Sequence, residues 1–157
     1  MNIKLILVGK TEEKYLKEGI EIFQRRLKHY IPFEIIIIPP LKDTKNLSAN
    51  IIKDREGELI LKQIEKIDKV YLFDEKGEEF SSRGFADFFQ KNMNLGTKSI
   101  GFVVGGAFGF SKEVYSRVGG RISISKMTFS HQMIRLMIVE QIYRVFTIIK
   151  NEPYHND

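Results

Sequence analysis

Ile100-Gly101-Phe102-Val103-Val104-Gly105-Gly106-Ala107-Phe108-Gly109 is the stretch from which the architecture can be read. Residues 100–104 are apolar without alternation, the pattern of a strand covered on both faces, as in a parallel sheet. Gly105, Gly106 and Gly109 then stop the strand, and Ser111 follows in the position of an N-cap for a short helix. Working outward, similar apolar runs predict strands over 3–8, 33–38, 70–73 and 121–125, the second of them also of the buried type. Helical spacing predicts helices between them. In 11–30 Tyr15, Leu16, Ile20, Phe23 and Leu27 recur on one stripe, and in 47–67 Ile51, Ile52, Leu59, Ile60 and Ile64 do so, with Gly57 as a mild interruption. Ser81 caps a third helix, residues 129–150 form a long last one, and Asp74-Glu75-Lys76-Gly77 reads as a plain turn. Strands alternating with helices in this way predict an α/β fold, one domain over 1–157 with a mainly parallel sheet flanked by helices.

The bulk properties narrow the functional classes. At 157 residues and 43% hydrophobic the chain can bury a core without staples. It has no cysteine, which removes disulfides, thiolate metal sites and cysteine nucleophiles, and no metal is expected. The start, interrupted by Asn2 and Lys4, is too short and polar for a signal sequence, and no apolar run approaches membrane-spanning length. The expectation is a complete cytoplasmic protein without a membrane partner. A net charge of +5, from 25 Lys and Arg against 20 Asp and Glu, makes a polyanion a plausible partner.

In open α/β sheets ligands sit beyond the carboxyl ends of strands, so the loops there come first. The spacing of Gly105-Gly106-Ala107-Phe108-Gly109 is G-G-x-x-G, which is not the dinucleotide pattern, and no phosphate-loop lysine follows. NAD and ATP are therefore disfavoured. The glycines serve either close approach of backbone to another ligand or a tight turn, and the residues weigh equally for both. On the first reading, a branched side chain at Gly106 would fill the space the ligand needs. The second candidate is Ile124-Ser125-Lys126-Met127-Thr128-Phe129, either a mixed polar and apolar ligand rim or helix caps from Ser125, Thr128 or Ser130.

The last helix is apolar around nearly its whole circumference, through Phe129, Met133, Leu136, Met137, Val139, Ile142, Tyr143, Phe146 and Ile149. A sheet covers one side. Each large apolar side chain left in water forfeits roughly 1.5–3 kcal/mol, so the other side calls for a partner, most economically a second copy in a symmetric dimer. Arg135, Glu140 and Arg144 exclude a membrane span. Glu140 and Arg144, four apart, can pair, whereas Arg135 and Arg144 in such a helix need either buried acceptors or an anionic ligand. Tyr154 and His155 lie in a polar tail of the sort that is usually disordered.

In their order along the chain these pieces resemble the large-subunit ribosomal RNA methyltransferase H family, a branch of the SPOUT alpha/beta-knot class. The resemblance runs from residues 3–10 through Glu56-Gly57-Glu58, Leu72-Phe73-Asp74 with Gly77, residues 103–109, residues 125–135 and Glu140-Gln141-Ile142-Tyr143-Arg144 to Pro153-Tyr154-His155. It implies a trefoil knot at the C-terminal end, a homodimer, and transfer of a methyl group from S-adenosylmethionine to N3 of a pseudouridine in 23S ribosomal RNA, within the ribosome. By matching position it implies that Phe73, Gly105, Gly106, Ile124, Ser125, Lys126, Met127, Thr128 and Phe129 hold the cofactor. Methyl transfer to a ring nitrogen requires in-line approach and loss of a proton. His155 is accordingly the candidate proton acceptor or orienting group, Tyr154 a stacking platform, and Arg135 and Arg144 anchors for phosphate or the uracil carbonyls. The rival from another class is a non-catalytic RNA- or ribosome-binding protein of the same fold.

Overall fold

The computed structural model describes residues 1–156. The elements follow as β1 (Asn2–Val8), α1 (Lys14–Leu27), β2 (Phe33–Ile38), α2 (Ala49–Ile64), β3 (Lys69–Glu79), α3 (Ser82–Asn94), β4 (Ser99–Val104), α4 (Lys112–Arg117), β5 (Gly120–Ser123) and α5 (Met133–Ile149). The five strands form one sheet in the order β2-β1-β4-β3-β5, and every pairing in it is parallel. All carboxyl ends therefore share one edge.

Helices cover both faces. On one, Ile3, Leu5 and Leu7 of β1 pack with α1, α3 and α5 around Phe89, Phe102 and Ile142. On the other, Ile6 and Val8 pack with α2 and α4 around Ile60, Val103 and Val114. The alternation of β1 residues between two cores explains why that strand reads as apolar throughout. β4, flanked on both sides, has every residue buried. Ser81 and Ser111 cap as expected, accepting from Gly84 N at 3.0 Å and Val114 N at 3.3 Å.

Several elements depart from the sequence reading for physical reasons. β2 is an edge strand, so its run of isoleucines is only half covered and Ile37 is 47% exposed. Tyr15 and Ile51 also point outward, although they fall at helical spacing. β3 does not end in a turn at Asp74. It continues to Glu79, with Phe73 and Glu78 both registered on Ile122 of β5 and the four residues between them bulged out. Gly77 is required where the bulge returns, because a β-carbon there would lie 2.5 Å from the backbone nitrogen of Ile122.

α5 begins at Met133, later than the apolar pattern suggested. Ser130 Oγ accepts from Met133 N at 3.1 Å and keeps the preceding turn separate. α5 packs against α1 and α3 of the same chain, within the core on one face of the sheet.

Candidate active site at the carboxyl ends of the strands

The segments that leave β3, β4 and β5 enclose a cavity of about 410 Å³, within the range of small-molecule sites. Its wall takes Phe73 and the bulge residues Asp74, Glu75 and Lys76 of β3, the end of β4 and the loop after it over 104–110, Tyr115 of α4, and Ile122 and Ser123 of β5 with Ile124 and Ser125 beyond them. Met127, Thr128, Phe129, His131 and Ile134 complete it from the segment leading into α5. The structure thus brings together Phe73, Gly105, Gly106, Ile124, Ser125, Met127, Thr128 and Phe129. Lys126 is not among the lining residues. It is turned outward, its side chain 88% exposed and its ammonium 3.9 Å from Glu79.

The rim is held by its own hydrogen bonds. Ser123 Oγ donates to the carbonyl of Ser125 at 2.9 Å, and Ser125 Oγ accepts from Met127 N at 2.9 Å. Tyr115, which sequence reasoning passed over, donates its hydroxyl to Asp74 Oδ2 at 2.5 Å. Its phenol is pushed up to about 12, first by burial and then by that bond. The Asp74 contact joins residues 41 apart, so no local pattern announces it.

The glycines act through space more than through dihedral freedom. Only Gly109 of the three adopts positive φ, at 78°. A β-carbon on Gly105 would press to 3.1 Å from the Phe110 ring, and one on Gly106 would meet the carboxyl of Glu56 at 2.7 Å. A branched side chain at Gly106 thus collides with α2 behind the loop, and does not simply fill ligand space as the sequence suggested.

Arg135 is fully buried and serves the backbone. Its Nη2 donates to the Val8 carbonyl at 2.7 Å, and Nη1 donates to the Gly9 carbonyl and to Thr11 Oγ1, each at 3.1 Å. Burial lowers the pKa of the guanidinium. Of the two roles open to it, a set of buried acceptors is the one observed. Gln132 adds to the clamp, accepting from Glu12 N and donating to the Lys10 carbonyl.

The tail is ordered on α5. Glu152 accepts from the Tyr30 hydroxyl, and Glu152 N donates to the Thr147 carbonyl at 2.9 Å. The tail thereby returns along the helix. Tyr154 stands edge-on to Tyr143, with ring centroids 4.8 Å apart, and its hydroxyl donates to Glu140 Oε1 at 2.9 Å. Arg144 binds the same oxygen through Nη2 at 2.7 Å and Nε at 3.1 Å, and covers the Tyr154 ring at 4.8 Å. Its Nη1 lies 3.3 Å from His155 Nδ1. Arginine only donates, so Nδ1 accepts and the proton of neutral His155 is on Nε2. Arg144, Tyr154 and His155 therefore form one cluster, and none of them lines the cavity of the same chain.

Among the described residues no three His, Asp or Glu side chains come together to hold a metal, and no helix is long and apolar enough to cross a membrane. Comparison with known proteins bears on the chemistry. The family described as "Predicted SPOUT methyltransferase" matches residues 1–155. A protein of Christiangramia forsetii named ribosomal RNA large subunit methyltransferase H is 56% identical over 99% of both chains. One of Parabacteroides distasonis with the same name is 52% identical over the full length of both. A crystal structure of a probable methyltransferase from Bordetella pertussis Tohama I shares the fold, with a TM-score of 0.57 over 92% of this chain and 96% of that one, at 10% identity. The chain belongs to the SPOUT methyltransferase family, on the branch whose curated members are named ribosomal RNA large subunit methyltransferase H.

Proposed function

We propose that this methyltransferase moves a methyl group from S-adenosylmethionine to N3 of a pseudouridine in 23S ribosomal RNA, as a cytoplasmic homodimer acting on the ribosome. The observation that carries the reading is the cavity at the carboxyl edge, built by eight of the nine positions that the family resemblance implies for the cofactor. Its character fits the donor. Phe73, Ile124 and Phe129 offer apolar surface to an adenine, the backbone of 104–110 offers polar groups to its edge, and Asp74 and Ser125 offer acceptors to hydroxyl or ammonium groups. The same reading makes residues 1–157 one domain and closes its C-terminal end in a trefoil knot.

When bound, S-adenosylmethionine supplies an electrophilic methyl group on a sulfonium, and as the N–C bond forms the S–C bond breaks. The residues of the chain position the base and handle the proton that N3 gives up. His155 has the lone pair of Nδ1 engaged by Arg144, so the orienting role fits it better than that of proton acceptor. Tyr154 offers a ring for stacking, and Arg144 is the remaining anchor for RNA.

The position of this cluster supports a shared site. Arg144 lies ten residues, about 15 Å of helix rise, beyond Ile134 at the cavity wall. The tail therefore serves the cavity of a second copy. Phe108, Met127 and Phe129, which are 52%, 77% and 37% exposed at the cavity mouth, give that copy an apolar seat.

Methyl transfer from labelled S-adenosylmethionine to 50S subunits, 70S ribosomes and naked 23S RNA tests the whole reading. Label at N3 of a pseudouridine in a ribosomal substrate is expected. Binding of RNA without donor uptake or transfer would favour a non-catalytic binding protein instead.

A further inference from the structure

Glu56-Gly57 occupies the middle of α2, behind the loop that joins β4 to α4, and nothing in the transfer chemistry accounts for it. The two residues meet that loop at both ends. A β-carbon on Gly57 would lie 2.5 Å from Ser111 Oγ and 3.3 Å from Val114, so the bare glycine is what lets α2 approach the capping residue of α4. One residue earlier, the carboxyl of Glu56 fills the space that a side chain on Gly106 would occupy, its oxygens 2.7 and 2.9 Å from that β-carbon position. The loop from Gly106 to Ser111 is thereby seated on consecutive residues of one helix.

The carboxyl is an unusual choice for that seat. Glu56 Oε2 is buried without a hydrogen-bond partner among the described residues. Burial alone raises its pKa, with no neighbouring charge to offset it. A group of the same size without the buried charge would be the more stable filler, so packing alone does not explain a glutamate. Polar groups held at such a cost concentrate where function fixes the backbone.

We infer that Glu56 is a positioning residue for the methyl donor: it braces Gly106 from behind and keeps the 105–109 backbone in the shape that meets the ligand. The inference rests on reading the cavity as the donor site. Glu56 is not among the residues that line the cavity. It acts through Gly106, whose position defines part of the cavity wall.

Calorimetric binding of S-adenosylhomocysteine and steady-state kinetics on Glu56→Ala and Glu56→Gln, each compared with the unsubstituted protein, test this. Glu56→Ala removes the brace and is expected to weaken S-adenosylhomocysteine and raise the donor KM by about tenfold, with kcat falling much less and no loss of Tm. Glu56→Gln keeps the shape and is expected to restore affinity to within about threefold of wild type. Glu56→Ala binding within about twofold of wild type, or Glu56→Gln binding as weakly as Glu56→Ala, overturns the inference. Should the unsubstituted protein itself take up no S-adenosylhomocysteine, the donor reading falls and the brace falls with it, an outcome separate from the other two.

Discussion

Arg135 and Arg144 stand on the same helix, about two and a half turns apart, and meet opposite surroundings. At the start of α5 the guanidinium is enclosed and bound to the carbonyls of Val8 and Gly9, groups that cannot leave or titrate. Toward the end it meets the side chains of Glu140, Tyr154 and His155, groups only partly buried that can exchange partners. Residue type and helical setting are the same in both places. The acceptors separate a structural cation from one available to a ligand, and the acceptors come from elsewhere in the chain.

That contrast can be broken by experiment. Arg135→Ala strands two backbone carbonyls and leaves a void in the core, and a loss of about 3–5 kcal/mol in denaturant unfolding is expected. A loss below about 1 kcal/mol would make Arg135 as dispensable to the fold as a surface residue. Arg144→Ala should leave Tm within about 4 °C of wild type while methyl transfer to ribosomes falls about 100-fold. Full activity in that variant would remove the functional half of the comparison.

The comparison sharpens further if the two ends of α5 serve different copies. Gly106→Val, which forces Glu56 off the loop, and His155→Ala are each expected to be inactive alone. Mixed and exchanged, they should recover about half the wild-type rate per heterodimer, since one site then carries both defects and the other neither. Native mass spectrometry showing heterodimers with background activity would return the tail to its own subunit.

The smallest effect concerns Tyr154, whose phenol is raised by burial first and by its bond to Glu140 second. A phenol raised on folding contributes stability that is present below its ordinary value near 10 and is lost as pH rises through the folded value. Thermal melts at about pH 9 and pH 11 should therefore show a larger fall for wild type than for Tyr154→Phe. Equal falls would mean that the tyrosine is not held by Glu140 in solution.

The interior of the fold could be read from sequence because its signals are local. β4 reads as buried since it is flanked on both sides, and Ser81 and Ser111 cap helices within four residues of themselves. The isoleucines of β2 misled because an apolar run does not say whether a strand has one neighbour or two. β3 outlasted its apparent turn because its register with β5 resumes after the bulge, which is a property of the pair. In the cavity, the glycines and residues 124–129 stood out as short segments. Tyr115 did not, because it joins the wall from a separate element, α4. Lys126 sits inside the right segment and points away from it, a matter of rotamer and not of sequence.

The bonds from Arg135 to Val8, Gly9 and Thr11 span 127, 126 and 124 residues, and this has a consequence for the order of folding. β1 is made first, yet the groups that saturate its carboxyl end are among the last to be synthesised. Closing so long a loop costs more chain entropy than any local contact, so the clamp forms late, after α1 and the β1–β2 pair can exist. Until then the edge that will bear the cavity lacks its wall from 124–134, and the nascent chain is a sheet without a site. Refolding followed by the fluorescence of the six tyrosines together and by donor uptake should show competence arriving with the slowest phase.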